Sequence, residues 1–149
     1  MPNTYIKMKL TYKKATEEDM EFLLWLRKET MTEHLLHAGK EVNEENLLDR
    51  ISYHFEYAKI ILLKGQKIGL LKLAENKTEI EVLQIQIAPN HQNKGIGKKI
   101  IQSIIQKASK NNIPVKLSVL KTNKAQTLYK NLGFEIYDEN NYSYFMKTF

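Results

Sequence analysis

Residues 78–110 present a strand, a stop, a bare loop and a helix in immediate succession, and few architectures accommodate that order. "TEIEVLQIQI" at 78–87 is the longest strand candidate, and the proline of Ala88-Pro89-Asn90 ends it because an imide nitrogen cannot donate to a ladder. Gly95 and Gly97 follow. From there Ile96, Ile100, Ile101, Ile104, Ile105 and Ala108 recur at helical spacing, with Lys and Gln on the opposite side. Asn111-Asn112-Ile113-Pro114 closes the helix, and residues 115–120 read as a further strand. Such a strand-helix-strand crossover belongs to an α/β sheet.

The rest of the chain builds around that crossover. Ile6, Met8 and Leu10 alternate with polar residues, so residues 5–11 read as a first strand. Thr16-Glu17-Glu18-Asp19 has the hydroxyl and the acids of a helix entrance, leading to a helix through Phe22, Leu23, Leu26 and Thr30 that Ala38-Gly39-Lys40 breaks. Asn43-Glu44-Glu45 opens a second helix carrying Leu47, Leu48, Ile51 and Phe55. Residues 59–63 and 68–73 form a hairpin around Lys64-Gly65-Gln66-Lys67, and Glu75-Asn76-Lys77 turns the chain into the long strand. Asn123 starts a short helix with Ala125, Leu128, Tyr129 and Leu132 on one face, which Gly133 ends. Residues 134–137 and 142–147 make a last hairpin. The fold class is a mixed α/β domain, a mostly antiparallel sheet of about seven strands flanked by about four helices.

At 149 residues the chain is expected to be one domain spanning 1–149. It has no run of about 18 apolar residues and no signal-peptide layout at its start, so the expectation is a cytoplasmic protein without a membrane partner. Zero cysteines exclude a disulfide framework, a thiolate nucleophile and Cys-ligated zinc. The four histidines fit no metal spacing, and no metal is expected. The net charge of +6 comes almost entirely from lysine, with Arg27 and Arg50 the only arginines, and these cations are scattered among Glu and Asn. Nucleic-acid surfaces rely on arginine forks and interleaved aromatics, so no nucleic acid is expected as a partner.

A helix entrance carries free N–H groups and partial positive charge, which makes it a natural anion site, and glycines there let a phosphate reach the backbone. The amides of residues 92–98 are therefore a phosphate-cradle candidate, although two glycines also serve a tight loop with no ligand at all. A dinucleotide fingerprint fails here, with Ile100 at its third glycine and five residues, 88–92, between strand and loop. A Walker loop fails too, with Lys99 where Ser or Thr belongs and Gln92 where its first glycine belongs.

Gln92-Asn93-Lys94-Gly95-Ile96-Gly97 resembles the pyrophosphate-binding loop of the GNAT superfamily of N-acetyltransferases, and Leu83-Gln84-Ile85-Gln86-Ile87-Ala88-Pro89 is similar to that family's fourth strand. A second segment, Asn123-Lys124-Ala125-Gln126-Thr127-Leu128-Tyr129-Lys130-Asn131-Leu132-Gly133-Phe134, resembles its Asn-x-x-Ala-x-x-Leu-Tyr-x-x-x-Gly-Phe pattern. The element order matches as well. The resemblance implies the GNAT (acyl-CoA N-acyltransferase) fold and acetyl transfer from acetyl-CoA to an amine acceptor without a covalent enzyme intermediate. A silent CoA-binding regulatory module of the same fold is the alternative.

By the same resemblance, Gln92, Asn93, Lys94, Gly95, Ile96, Gly97 and Lys98 would hold the CoA pyrophosphate. Backbone groups of Ile85 and Ile87 would bond the pantetheine arm, and Asn123 would contact CoA unless it only caps its helix. Tyr129 would be the general acid, although its position on an apolar face also suits a core residue. Glu81 matches a catalytic base in some relatives, others use ordered water, and Gln84 is an alternative for positioning the amine or a water. The acceptor would enter near Arg27, Glu29, Thr30, His34 and His37. Acceptor identity and a homodimer are left open by these residues.

Overall fold

The computed structural model describes residues 9–37 and 43–148, apart from the side chains of residues 31–37 and 44. The expected break at Ala38-Gly39-Lys40 and most of the expected first strand lie outside the described residues. The first strand among the described residues, β1, is Leu10–Lys14, which runs on past the expected end at residue 11. Its register is set by its partner, since Leu10 to Lys14 pair antiparallel with Leu63 to Lys59.

Asp19 closes the helix entrance, its carboxylate accepting the Thr16 N–H at 2.9 Å after a 3-10 turn at Glu17–Asp19. Helix α1 then runs Met20–His37 and helix α2 Glu44–Ser52, the latter capped by Asn43, whose side chain accepts the Asn46 N–H at 2.8 Å. Phe55 is not in α2 as the spacing suggested. His54, at φ 51°, turns the backbone out of the helix, and Phe55–Tyr57 is a separate 3-10 turn. Strands β2 (Ala58–Leu63), β3 (Gln66–Glu75) and β4 (Ile80–Ile87) follow. Helix α3 is Ile96–Lys110, β5 is Val115–Leu120, helix α4 is Ala125–Asn131, and β6 (Glu135–Glu139) with β7 (Ser143–Lys147) completes the chain. The expected element order is the observed one.

The strands form one seven-stranded sheet ordered β1-β2-β3-β4-β5-β7-β6. The β4–β5 pair is parallel, while β1–β2, β2–β3, β5–β7 and β6–β7 are antiparallel. Gly69 in β3 is required by crowding, because a Cβ there would run into the Gln86 carbonyl oxygen of β4.

The chain groups into two compact units, one comprising residues up to Lys72 with Gln84–Gly97, the other Leu73–Leu83 with Lys98–Phe149. In the first, Leu23 and Leu26 of α1 and Ile51 of α2 pack with Ala15, Ala58, Ile60, Leu70 and Ala88. In the second, Ile100, Ile101, Ile104 and Ala108 of α3 are buried, as are Ile80, Val82, Val115, Leu117, Val119, Phe134 and Met146. At about 25 cal/mol per Å² of apolar surface removed from water, such faces supply most of the drive to fold.

Candidate functional site

In the first unit the strand-to-helix loop is drawn tight by its own groups. Pro89–His91 is a 3-10 turn, and the Gln92 side-chain amide donates back to the Ile87 carbonyl at 2.9 Å. Asn93 and Gly95 both adopt the left-handed conformation, at φ 61° and 81°, before α3 begins at Ile96. Gln92, Asn93, Lys94, Gly95 and Lys98 are exposed, so an anion can reach this helix entrance, whereas Ile96 is buried and anchors it. Gly97 stands apart: its φ is not left-handed, and a Cβ there would meet nothing within 4 Å. Neither backbone strain nor packing inside the protein calls for glycine at that position, where glycine costs a helix roughly 0.5–1 kcal/mol relative to alanine.

Strand β4 leads into this loop with Gln84 and Gln86 buried and Ile85 and Ile87 half-buried on the alternate face. Its parallel ladder with β5 covers only Ile80↔Val115, Glu81↔Lys116 and Val82↔Leu117, so the backbone of residues 84–87 lies beyond that ladder. Thr30 on α1 donates its hydroxyl to the Leu26 carbonyl at 2.7 Å. Arg27 is 5% exposed. Burial, followed by the charge of Arg50, pulls its guanidinium down to about 10. The side chains of His34 and His37 lie outside the described residues.

Sequence reasoning passed over Lys72. It is 2% exposed, and its ammonium donates to the carbonyls at the end of α2, those of Arg50 at 3.2 Å, Ile51 at 2.9 Å and Tyr53 at 2.6 Å. Helix ends leave such carbonyls without intrahelical donors, so the lysine caps α2 from the sheet.

In the second unit, Tyr129 of α4 is 7% exposed and packs on Phe134 at 5.7 Å between ring centroids. Burial raises its phenol to about 12, which keeps the proton on the oxygen throughout the neutral range. Among the described residues nothing hydrogen-bonds that hydroxyl. Asn123 accepts the Ala125 N–H on its side chain at 2.9 Å in the turn just before α4, whose N-cap position is held by Lys124. Glu81 is exposed, on the face of β4 opposite Ile80 and Val82.

The model of the acetyltransferase (GNAT) domain family matches residues 14–145. The chain belongs to the GNAT acetyltransferase family. Solved structures show the same fold at low identity. A PaiA N-acetyltransferase from Thermoplasma acidophilum, in complex with coenzyme A, is similar at TM-score 0.70 and 21% identity over 95% of this chain and 99% of that one. An acetyltransferase from Thermus thermophilus gives TM-score 0.72 at 16% identity, over 94% and 96%. The ribosomal-protein-S18-alanine N-acetyltransferase from Escherichia coli gives 0.64 at 16%, over 94% and 93%. No curated protein matched by sequence. The GNAT match includes the glycine loop, β4, Asn123 and Tyr129. In this GNAT domain no described helix is long and apolar enough to cross a membrane, and no described group of three or more His, Asp or Glu could hold a metal ion.

Proposed function

We propose that this domain transfers an acetyl group from acetyl-CoA directly to a primary amine. The carrying observation is Gly97, a glycine in the first turn of a fifteen-residue helix with no steric or conformational reason for it inside the protein. A diphosphate seated on the amides of residues 92–98 supplies the reason, since a methyl group would stand where it approaches. Asn93 and Gly95 in left-handed conformations are the backbone geometry that turns successive N–H groups toward one anion.

The backbone of Ile85 and Ile87 bonds the pantetheine arm as an added strand, and the Ile87 N–H polarises the acetyl carbonyl. Asn123 contacts CoA from the turn that precedes α4. A neutral amine then attacks the carbonyl carbon, a C–N bond forms, and the C–S bond breaks. The departing thiolate takes the phenolic proton of Tyr129, which burial keeps in place. The proton lost by the nitrogen goes to Glu81 or to an ordered water.

Titration calorimetry with acetyl-CoA, followed by CoA-thiol release across an amine panel, tests the reading. Micromolar binding and release with at least one amine are expected. Absence of binding at high micromolar acetyl-CoA refutes the proposal, and binding without release from any amine leaves a CoA-binding module in its place.

A further inference from the structure

Both arginines of this lysine-rich chain lie in the first unit, where the charge of Arg50 acts on Arg27 and both act on Lys72. Periodicity places them around one layer. Arg27 is one helical turn beyond Leu23, Lys72 two residues beyond Leu70, and Gln86 and Gln84 two and four residues before Ala88. Leu23, Leu70 and Ala88 all belong to the same core cluster, so these polar side chains continue its faces beyond the apolar part.

Lys72 spends its donors on the α2 carbonyls, but the hydrogen bonding of Arg27 and the two glutamines is incomplete. Among the described residues, Arg27 Nε, Gln84 Oε1 and Gln86 Nε2 are buried with no partner, and the bond between the two amides, Gln84 Nε2 to Gln86 Oε1, is long at 3.3 Å. Among the described residues no ion pair involves Arg27, Arg50 or Lys72. Arg50 is stacked over the Tyr53 ring at 4.7 Å. Glu56 alone draws on Lys72 with negative charge, and it is exposed and bonded to His54 at 3.1 Å. A buried guanidinium without an ion pair and buried amide atoms without partners are costly, and native proteins keep them mainly where something else completes them.

We propose that Arg27, Arg50 and the amide nitrogen of Gln86, in the positive field of Lys72, recognise the carboxylate of a small amine whose nitrogen donates to the amide oxygen of Gln84, so that the acceptor of this domain is an amino-acid-like molecule. Arginine rather than lysine at the two helix positions fits a planar, two-oxygen anion. The amide oxygen of Gln84 is the kind of acceptor an amine needs, and three cations in one layer repel a polyamine. This assignment rests on the acetyl-transfer reading for the identity of the bound molecule as an acceptor.

The test is calorimetric binding and CoA release with L-aspartate, L-glutamate and L-alanine, each beside its C-terminal amide, and with spermidine. An amino acid is expected to bind and react at least ~30-fold better than its amide, whose lost charge leaves the buried arginine unpaired. Arg27→Met is expected to remove that preference while acetyl-CoA affinity is retained, and Arg50→Met, at a more exposed position, provides the same reading if the first variant does not fold. Equal use of amino acids and their amides, turnover of spermidine alone, or binding of none of these probes while acetyl-CoA binds would overturn the assignment and leave the acetyl-transfer proposal standing. Amino-acid binding without any acetyl-CoA binding would keep the carboxylate site and sink the transfer reading.

Discussion

The two units bury polar groups in different ways. Of the six buried polar or charged side chains among the described residues, Asp19, Arg27, Lys72, Gln84 and Gln86 belong to the first unit and Thr148 to the second. Thr148 is tied in twice: its hydroxyl accepts the Val115 N–H at 2.9 Å, and its own N–H returns to the Val115 carbonyl at 2.9 Å. Arg27 and the two glutamines are not. The second unit thus buries mostly apolar side chains, with Thr148 bonded and the Tyr129 hydroxyl unbonded among the described residues, while the first holds polar capacity that its own fold does not consume.

The contrast breaks most easily through core substitutions. Ile101→Ala in the second unit removes a side chain that is 1% exposed and is expected to cost about 3 kcal/mol in urea unfolding. Replacing Gln84 and Gln86 together by Met removes an amide pair of similar volume whose outer atoms are already open. The expected change there is under about 1 kcal/mol in either direction. A loss for the double variant as large as that of Ile101→Ala would show that the glutamines are structural.

Next in size is Tyr129→Phe. The phenol makes no hydrogen bond to a described residue, so its loss is expected to leave unfolding within about 0.5 kcal/mol. If the tyrosine is the acid, kcat falls ~100-fold or more with acetyl-CoA affinity unchanged. A drop of less than threefold would return Tyr129 to the core. Gly97→Ala sharpens the comparison further by giving opposite signs: a helix stabilised by about 0.5 kcal/mol and acetyl-CoA binding weakened about tenfold. Parallel melting and calorimetry would read both, and an unchanged affinity would mean that the loop holds no phosphate there.

These two kinds of site were not equally legible. The proposed backbone cradle needs glycines at fixed spacing after a stopped strand, so Pro89, Gly95 and Gly97 point to it along a short stretch. Val115–Leu120 was readable for the same reason, being framed by Pro114 and a turn. The cationic layer is assembled from residues 27, 50 and 72, each on a different element. Lys72 sits in "GLLKLA", where a lysine in a strand ordinarily marks the solvent side, and only the approach of the α2 carbonyls explains its burial. The paucity of arginine was the available signal. Phe55 misled because its spacing from Ile51 is helical, whereas His54 takes a left-handed conformation with no glycine to advertise it.

The last expected effect is a pH slope that comes from a residue of the first unit, Lys72. Burial, then Arg50, then Arg27 lower Lys72 from 10.5 to about 8, with Glu56 opposing them. The sign follows from proton counting: between pH 8 and 10.5 the folded chain has released a proton that the unfolded chain still binds, so stability rises with pH across that window. Below pH 8 both states hold the proton, and the cost of the buried cation is constant. Lys72→Met lacks the titrating group and is expected to start lower by about 1–3 kcal/mol, because the carbonyls that end α2 lose their donor. The stability gap between wild type and Lys72→Met should therefore widen from pH 8 to 10, by no more than the ~1.4 kcal/mol per pH unit that one proton allows. Denaturant titrations of both proteins at pH 7, 8, 9 and 10 measure it. A gap that stays flat would mean that the three carbonyls hold the ammonium as firmly as water does, and that the cations of this layer do not feel one another.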